Sequence, residues 1–514
     1  MTSDPIFDLV HSMTTHEKIF FKRYAMLYGK KEPNYLKLFE AIDSLKEYDE
    51  EKLKLKLRKT TFLKRLAFER NYLKTAILEA LRAFGNSKYE GEDEREILEV
   101  NLRRELDYAL ILRKRNIPSL AIKTIQKVKK EAQHHELFLV LKQALRQEQL
   151  VVYEKLIGQK TGHSEYARVY AEHSKVSKQT ANIDDIAVYN RQVVTECHRV
   201  GMTHRDAEKE QLLKLADNPI IGDKSTALST SARFAQLSSL AFVYSATQET
   251  ELLSHTLKEQ IAIINSHPQV VLFQNKVGVY SNYILTCRAL EKFKEGNATI
   301  EKYYTIPCPT KWHKQFHFVK STVSVVPFLV RSGQFERALS MEPEIYDFFD
   351  SGAYGLATVQ RENVYCSYIV LFIVLENYDR ALSWHEFQQR EPNLPSVQDT
   401  RLIGNLCAMI AHYELGNYSL VPNLCRSVQR TLGEKKFDTA TERTFIHYIQ
   451  KMPPKLEVSQ YWQDFKAALE PLLSTDNELA KFSFLDFLAW VESKIQKRPL
   501  REIMEEKRKA AWKI

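Results

Sequence analysis

Residues 333–338 read Gly-Gln-Phe-Glu-Arg-Ala, residues 376–381 read Glu-Asn-Tyr-Asp-Arg-Ala, and residues 416–421 read Gly-Asn-Tyr-Ser-Leu-Val. The aromatic residue is third in each phrase, which places the aromatics at near-regular positions, Phe335, Tyr378 and Tyr418. Each phrase follows a long apolar run and precedes a second segment with helical periodicity. The stretch 326–432 therefore predicts a helix, a tight turn and a second helix, repeated along the chain.

The composition predicts an all-α protein. A chain of 514 residues exceeds the size at which a single core stops growing, so it must contain several domains or a stacked array. Glycine (15) and proline (16) are scarce, while leucine, glutamate, lysine and alanine are the commonest residues. Few helix breakers among many strong helix formers favour helices throughout.

The first segment, residues 1–88, is predicted to be a small helical N-terminal domain. Thr14 and Glu17 have the spacing of a capping box at a helix start. Residues 52–58 alternate apolar and basic residues, which allows a strand, but the acidic residues 49–51 favour a helix start. A linker is predicted at 85–91, followed by irregular helical hairpins over 92–222.

Regular helix pairs are predicted over 225–475. First helices are expected to start near residues 227, 271, 312, 354, 397 and 437, and second helices near 248, 294, 334, 378, 418 and 457. Prolines between the pairs mark the points where one pair ends and the next begins. The last segment, 476–514, is predicted to contain a capping helix, 478–496, and a charged tail from Lys497.

The phrases at 333–338 and 377–381 resemble the turn and second-helix start of tetratricopeptide repeats, and 416–421 is a weaker copy. In that family the aromatic residue fills the groove between two helices, and the small alanine lets them approach closely. The resemblance covers 225–475 and implies an α-solenoid of antiparallel helix pairs. The phrases recur at a longer period than the one typical of the family, so helices or loops are extended.

The resemblance implies a non-catalytic scaffold or adaptor that binds another protein or a peptide segment along a curved surface. The family's peptide site is a carboxylate clamp on successive first helices, and Lys320 and Asn363 occupy equivalent clamp positions ahead of their turns. The third position is the apolar Ile403. Arg361, Arg401 and Asn405 are further candidate contacts, and ordinary helix-surface residues are the alternative for all five.

Two first helices are unusually apolar. Residues 323–330 and 365–375 show no polar face over two or three turns. A helix that is hydrophobic all round is buried on all sides. These helices are therefore either covered within the chain or line a groove for an amphipathic partner helix.

Basic residues are concentrated at the N-terminus. The net charge is +9, and residues 1–88 carry 18 basic against 12 acidic residues. Aromatic residues are interleaved with the candidate phosphate contacts, which are Lys54, Arg58, Lys64, Arg65 and Arg70. This pattern suggests a nucleic-acid-associated regulator as the alternative function, with a solvated charged face as the competing explanation.

No catalytic, phosphate-binding or dinucleotide-binding signature occurs in the sequence, so we expect no enzyme, cofactor or metal site. The six cysteines form no C-x-x-C pair, which is typical of a reducing compartment. The N-terminal residues lack the pattern of a secretory signal, and no apolar stretch is long enough to span a membrane. A cytoplasmic location without membrane contact is therefore expected.

Overall fold

The computed structural model describes residues 4–27, 33–84, 94–156, 163–200, 206–352, 356–392, 398–433, 440–452, 459–473 and 486–511. Over these residues every regular element is a helix, so the all-α class is confirmed for them. The chain forms two compact units, Met1–Glu92 and Asp93–Ile514. The predicted linker at 85–91 and the first part of the predicted last helix, 478–485, lie outside the described residues.

The described part of the first unit contains α1 (Pro5–Ser12), α2 (Thr15–Ala25), α3 (Asn34–Asp43), α4 (Glu50–Leu57) and α5 (Leu66–Phe84), and a 3₁₀ turn, Leu63–Arg65. The predicted capping box is present, because Thr14 N–H donates to Glu17 Oε2 at 2.7 Å and Glu17 N–H donates to Thr14 Oγ1 at 3.3 Å. Asp49 caps α4, which confirms the helix preferred over a strand. The sequence analysis missed α1, although Asp4 caps it and Pro5 begins it.

The second unit begins with long hairpins. Its first helices are α6 (Glu94–Lys114), α7 (Pro118–His134), α8 (Phe138–Leu156), α9 (His163–Val200), α10 (Asp206–Ala216) and α11 (Pro219–Gly222). Each of α6 to α9 packs on the next, and α9 also packs on the first helix of the following region. A buried ion pair joins α7 to α8, with Lys129 Nζ 2.6 Å from Glu148 Oε2.

Helix pairs then follow with the predicted spacing. They are α12 (Thr230–Ala246) with α13 (Thr250–Ser266), α14 (Phe273–Ala289) with α15 (Phe293–Tyr304), α16 (Lys311–Ser332) with α17 (Phe335–Asp350), α18 (Thr358–Val374) with α19 (Tyr378–Arg390), α20 (Gln398–Glu414) with α21 (Val421–Gly433), and α22 (Ala440–Lys451) with α23 (Ser459–Leu473). Short 3₁₀ turns lie at Lys224–Thr226 and Pro268–Val270. Every start lies within four residues of its predicted position.

The same turn closes the first helix of successive pairs. A residue with positive φ recurs at nearly constant spacing, at Gln248, Glu291, Gly333, Glu376 and Gly416. The next residue donates its N–H to a carbonyl five residues earlier, as Gln334 does to Leu329 at 2.9 Å. This is the Schellman closure, which satisfies helix-end carbonyls and favours glycine in the left-handed position. The helix–turn–helix pattern predicted from the three phrases is therefore present.

A fourth copy of the phrase, which sequence analysis missed, lies at 291–296. Phe293 occupies the aromatic position and is 4% exposed. Gly296 occupies the position of the alanine, and a Cβ there would lie 2.2 Å from a ring carbon of Phe328. The small residue is required because α15 and α16 approach closely at this point.

The first helices of the central pairs contribute much of one hydrophobic core of the second unit. Helix α14 packs on α16, α16 on α18, and α18 on α20. Residues 321–330 of α16 and 364–374 of α18 are all buried. The apolar first helices are thus covered within the chain, which excludes the open apolar groove considered as the alternative for these residues.

The chain continues into α24 (Phe487–Gln496) and α25 (Leu500–Ala511). The segment treated as a charged tail is therefore helical over most of its length, because Pro499 precedes a regular amphipathic pattern. Helix α24 packs on α23, and α25 packs on α24. No helix in the described part of the chain combines the length and apolar character needed to cross a bilayer.

Candidate protein-interaction surface

The candidate contacts Lys320, Asn363 and Asn405 lie on α16, α18 and α20, which pack side by side. All three side chains are half-buried. Lys320 and Asn363 share one register, because each precedes the left-handed residue of its own turn by the same interval. The resemblance to tetratricopeptide repeats predicts this shared register for Lys320 and Asn363. In the structure the two residues lie on neighbouring helices, α16 and α18.

Gly278 on α14 extends this register by one helix. It precedes the left-handed residue Glu291 by the interval that separates Lys320 from Gly333. A Cβ built at Gly278 would meet no atom within 4 Å, so the position faces open space. We call Gly278, Lys320 and Asn363 the polar line. Sequence analysis missed Gly278, although counting back from the turn of the fourth phrase would have found it.

Lys320 carries a charge without a counter-ion. Within the described residues no carboxylate lies within ion-pair distance of its Nζ, whose recorded neighbour is the Phe316 ring at 5.7 Å from the ring centroid. Burial lowers the pKa of Lys320, because removal from water disfavours the ammonium form. A half-buried, unpaired ammonium favours an anionic group from outside the chain.

Arg361 is already engaged within the protein. Its guanidinium forms a fork with Glu391, with Nε 2.7 Å from Oε1 and Nη2 2.5 Å from Oε2. It also donates to the Leu356 carbonyl and, at 3.2 Å, to Thr358 Oγ1. These bonds tie the start of α18 to the end of α19. A partner contact by Arg361 stays a prediction and would compete with this arrangement.

Arg401 is engaged in the same way. Its Nη2 donates to the buried Glu362 and to the carbonyls of Gln388 and Glu391, both at 3.0 Å. Burial raises the pKa of Glu362, and Arg401 opposes this rise. One oxygen of Glu362 has no hydrogen-bond partner in the described part of the chain.

Asn405 also has internal partners. Its Oδ1 accepts from Gln389 Nε2 at 3.0 Å and lies 2.9 Å from His385 Nε2. Its two partners lie on α19, so the amide joins α19 to α20. Of the five candidates, Lys320 and Asn363 have no side-chain hydrogen bond or ion pair recorded to another described residue. The polar line is therefore the part of the predicted surface that remains available to a partner.

No protein-family model, curated protein or solved structure matches this chain. Among the described residues, no group of three or more histidine, cysteine, aspartate or glutamate side chains is arranged to hold a metal ion.

The basic candidates of the first unit divide into two sets. Lys54 lies 3.0 Å from Glu51, and Arg70 lies 2.6 Å from Glu50 and 3.3 Å from Asp4. These two side chains are engaged in ion pairs within the unit. The others, Arg58, Lys64 and Arg65, are exposed and have no ion pair recorded in the described residues.

Two exposed aromatic rings lie beside the second set. Phe68 and Tyr72 on α5 are 61% and 55% exposed, and their ring centroids are 5.2 Å apart. Lys64 and Arg65 lie in the 3₁₀ turn that leads into α5, four and three residues before Phe68, so the cations and the rings are close along the chain. We call these four residues the aromatic–basic face.

Proposed function

We propose that residues 225–475 are a tetratricopeptide-like α-solenoid, and that the protein is a non-catalytic scaffold or adaptor that binds an acidic segment of another protein. The observation that carries this proposal is the unpaired, half-buried ammonium of Lys320 together with the Asn363 amide in the same register of the neighbouring first helix. A carboxylate from a partner would accept hydrogen bonds from both side chains and would pair with the buried charge.

Three features support the proposal. The turn geometry recurs at nearly constant spacing, as expected for stacked pairs. The four first helices α14, α16, α18 and α20 pack on one another in chain order, which is consistent with stacked pairs in this part of the chain. The apolar faces of these helices are buried, so a partner that binds along the polar line would contact polar side chains.

The proposal is tested by charge reversal at Lys320. The tagged full-length protein is used to capture partners from native lysate, alongside its Lys320→Glu variant and a Lys294→Glu control on α15, where the lysine is exposed. We expect one partner to be recovered with the parent protein and the control, and reduced roughly tenfold or more with Lys320→Glu. Equal recovery with all three proteins, or no enriched partner, contradicts the proposal.

A second function, binding of single-stranded nucleic acid by the first unit, is favoured by the aromatic–basic face. Exposed rings stack on bases of any sequence, and adjacent cations contact phosphates. We propose it as the alternative to the scaffold, with the helix pairs then sensing a partner.

The alternative is tested by fluorescence anisotropy with a labelled single-stranded RNA at several salt concentrations. We expect affinity to fall with salt, and to fall further in Phe68→Ala and in Lys64→Glu. Lys54→Glu is the control, because Lys54 already pairs with glutamates on its own helix. Binding that is unchanged in both test variants excludes the aromatic–basic face as the site.

A further inference from the structure

The C-terminal helix α25 packs on α24 and contacts acidic side chains on both of its flanks. Leu500 N–H donates to Glu376 Oε1 at 3.1 Å, and Arg501 Nη2 lies 2.7 Å from Glu336 Oε1. On the other side, Lys507 Nζ lies 3.1 Å from Asp486 and 2.7 Å from Glu492. We call the surface that α25 covers the acidic groove. It is formed by α24, the first turn of α17 and the turn that follows α18.

The face of α25 that meets this surface is apolar. Leu500 and Ile503 of α25 are 1% and 2% exposed, and Met504 is partly buried against the same core. The Arg501 guanidinium lies 5.6 Å from the centroid of the Phe335 ring, the aromatic of the turn phrase. The groove thus accepts a helix with apolar residues on one face and basic residues on its flanks.

Over residues 500–507, where its side chains are described, helix α25 buries fewer residues than α24. The ion pair between Arg501 and Glu336 joins side chains that are 39% and 71% exposed. Exposed pairs of this kind contribute little to stability. Among residues 500–507 of α25, Leu500 and Ile503 are the two that are fully buried. In α24 four hydrophobic residues, Phe487, Ala489, Trp490 and Val491, are 2% exposed or less. Elements with few buried contacts open first.

We propose that the acidic groove is a docking site for a basic amphipathic helix of a partner protein, and that α25 occupies it in cis until such a helix displaces it. Charge complementarity identifies the ligand class, since the cis occupant places Arg501 against Glu336 and Lys507 against Asp486 and Glu492. This inference rests on the proposed scaffold function, because it requires that the protein binds a partner protein. It concerns a different surface from the polar line.

The first measurement is hydrogen exchange of the full-length protein. We expect backbone amides of α25 to exchange at least about tenfold faster than those of α24, because α25 opens locally. The second is anisotropy of a fluorescein-labelled peptide with the sequence of residues 497–514. A tethered helix competes at an effective concentration near millimolar, so we expect Ile503→Asp, which detaches α25, to bind the peptide at least roughly tenfold more tightly than the parent protein.

Acceptor-side and donor-side controls complete the test. Adding Glu336→Lys to Ile503→Asp should weaken peptide binding by a factor of roughly two to five, the size expected for an exposed ion pair, and Arg501→Glu should give a small part of the gain seen with Ile503→Asp. Exchange of α25 as slow as that of α24, with equal peptide binding by all variants, overturns the proposal. A dimer of Ile503→Asp in light scattering would make a second copy of this chain the occupant and would also overturn it. None of these outcomes depends on the partner captured from lysate. The proposal for the acidic groove can therefore fail while the proposed function of the polar line stands, and the reverse.

Discussion

Replacing Trp384 by alanine is expected to lower the free energy of unfolding by about 3–5 kcal/mol. Trp384 on α19 is 0% exposed and stacks on Tyr368 of α18, with ring centroids 4.5 Å apart. Its Nε1 also donates to Glu342 Oε1 at 3.0 Å, on a residue that is 5% exposed. The substitution therefore leaves a large cavity and removes a donor from a buried carboxylate.

Urea unfolding followed by circular dichroism measures the loss, and hydrogen exchange of α19 localises it. The matched control is Trp312→Ala, which removes the same side chain from a partly exposed position on α16. We expect the control to lose less than half as much stability, because the surrounding water fills the space. Equal losses for the two variants would show that Trp384 does not hold α18 and α19 together.

Replacing Arg401 by methionine is expected to lower the free energy of unfolding by about 3–5 kcal/mol at neutral pH, because Glu362 is then a buried carboxylate without its cation. Glu362 is 0% exposed. Burial already raises the pKa of Glu362 in the folded protein. The folded state therefore binds the proton of the Glu362 carboxyl group more tightly than the unfolded chain does. Stability therefore falls as pH rises from the ordinary glutamate range through the folded pKa.

The loss of Arg401 increases this effect, since Arg401 opposes the rise in the pKa of Glu362. We expect the destabilisation of Arg401→Met to shrink as the pH is lowered toward the ordinary glutamate range, where Glu362 becomes neutral. Thermal unfolding between about pH 5 and pH 8 measures this trend. The control combines Arg401→Met with Glu362→Gln. In this double variant the destabilisation caused by the loss of Arg401 should no longer change with pH. A loss that is constant with pH would show that Glu362 is not the group responsible.

The helices of the paired region could be predicted because their signals are local. Apolar periodicity, breaking prolines and the recurring turn phrase set the starts of α12 to α23. The copy at 291–296 escaped notice because Glu291 lacks the glycine of the first and third copies and Gly296 lacks the alanine of the first two. Its left-handed backbone, with φ 54° at Glu291, is visible only in the coordinates.

The engagement of the arginines could not be predicted from sequence. Arg361 pairs with a glutamate 30 residues later, and Arg401 with one 39 residues earlier, so no spacing along a single helix signals either contact. The docking of α25 includes a hydrogen bond from the Leu500 N–H to Glu376, which lies 124 residues earlier in the chain. Register counting from the turn could place Lys320 and Asn363, because that rule depends on one helix and its own turn.

The complete burial of residues 364–374 in α18 has a consequence for synthesis of the chain. This run, Val-Tyr-Cys-Ser-Tyr-Ile-Val-Leu-Phe-Ile-Val, is rich in β-branched and aromatic residues and contains no charge. Out of its helix, such a segment has the composition of a cross-β former. Nascent chains must therefore bring α16 and α20 around α18 quickly, or rely on chaperones, to avoid aggregation at this segment.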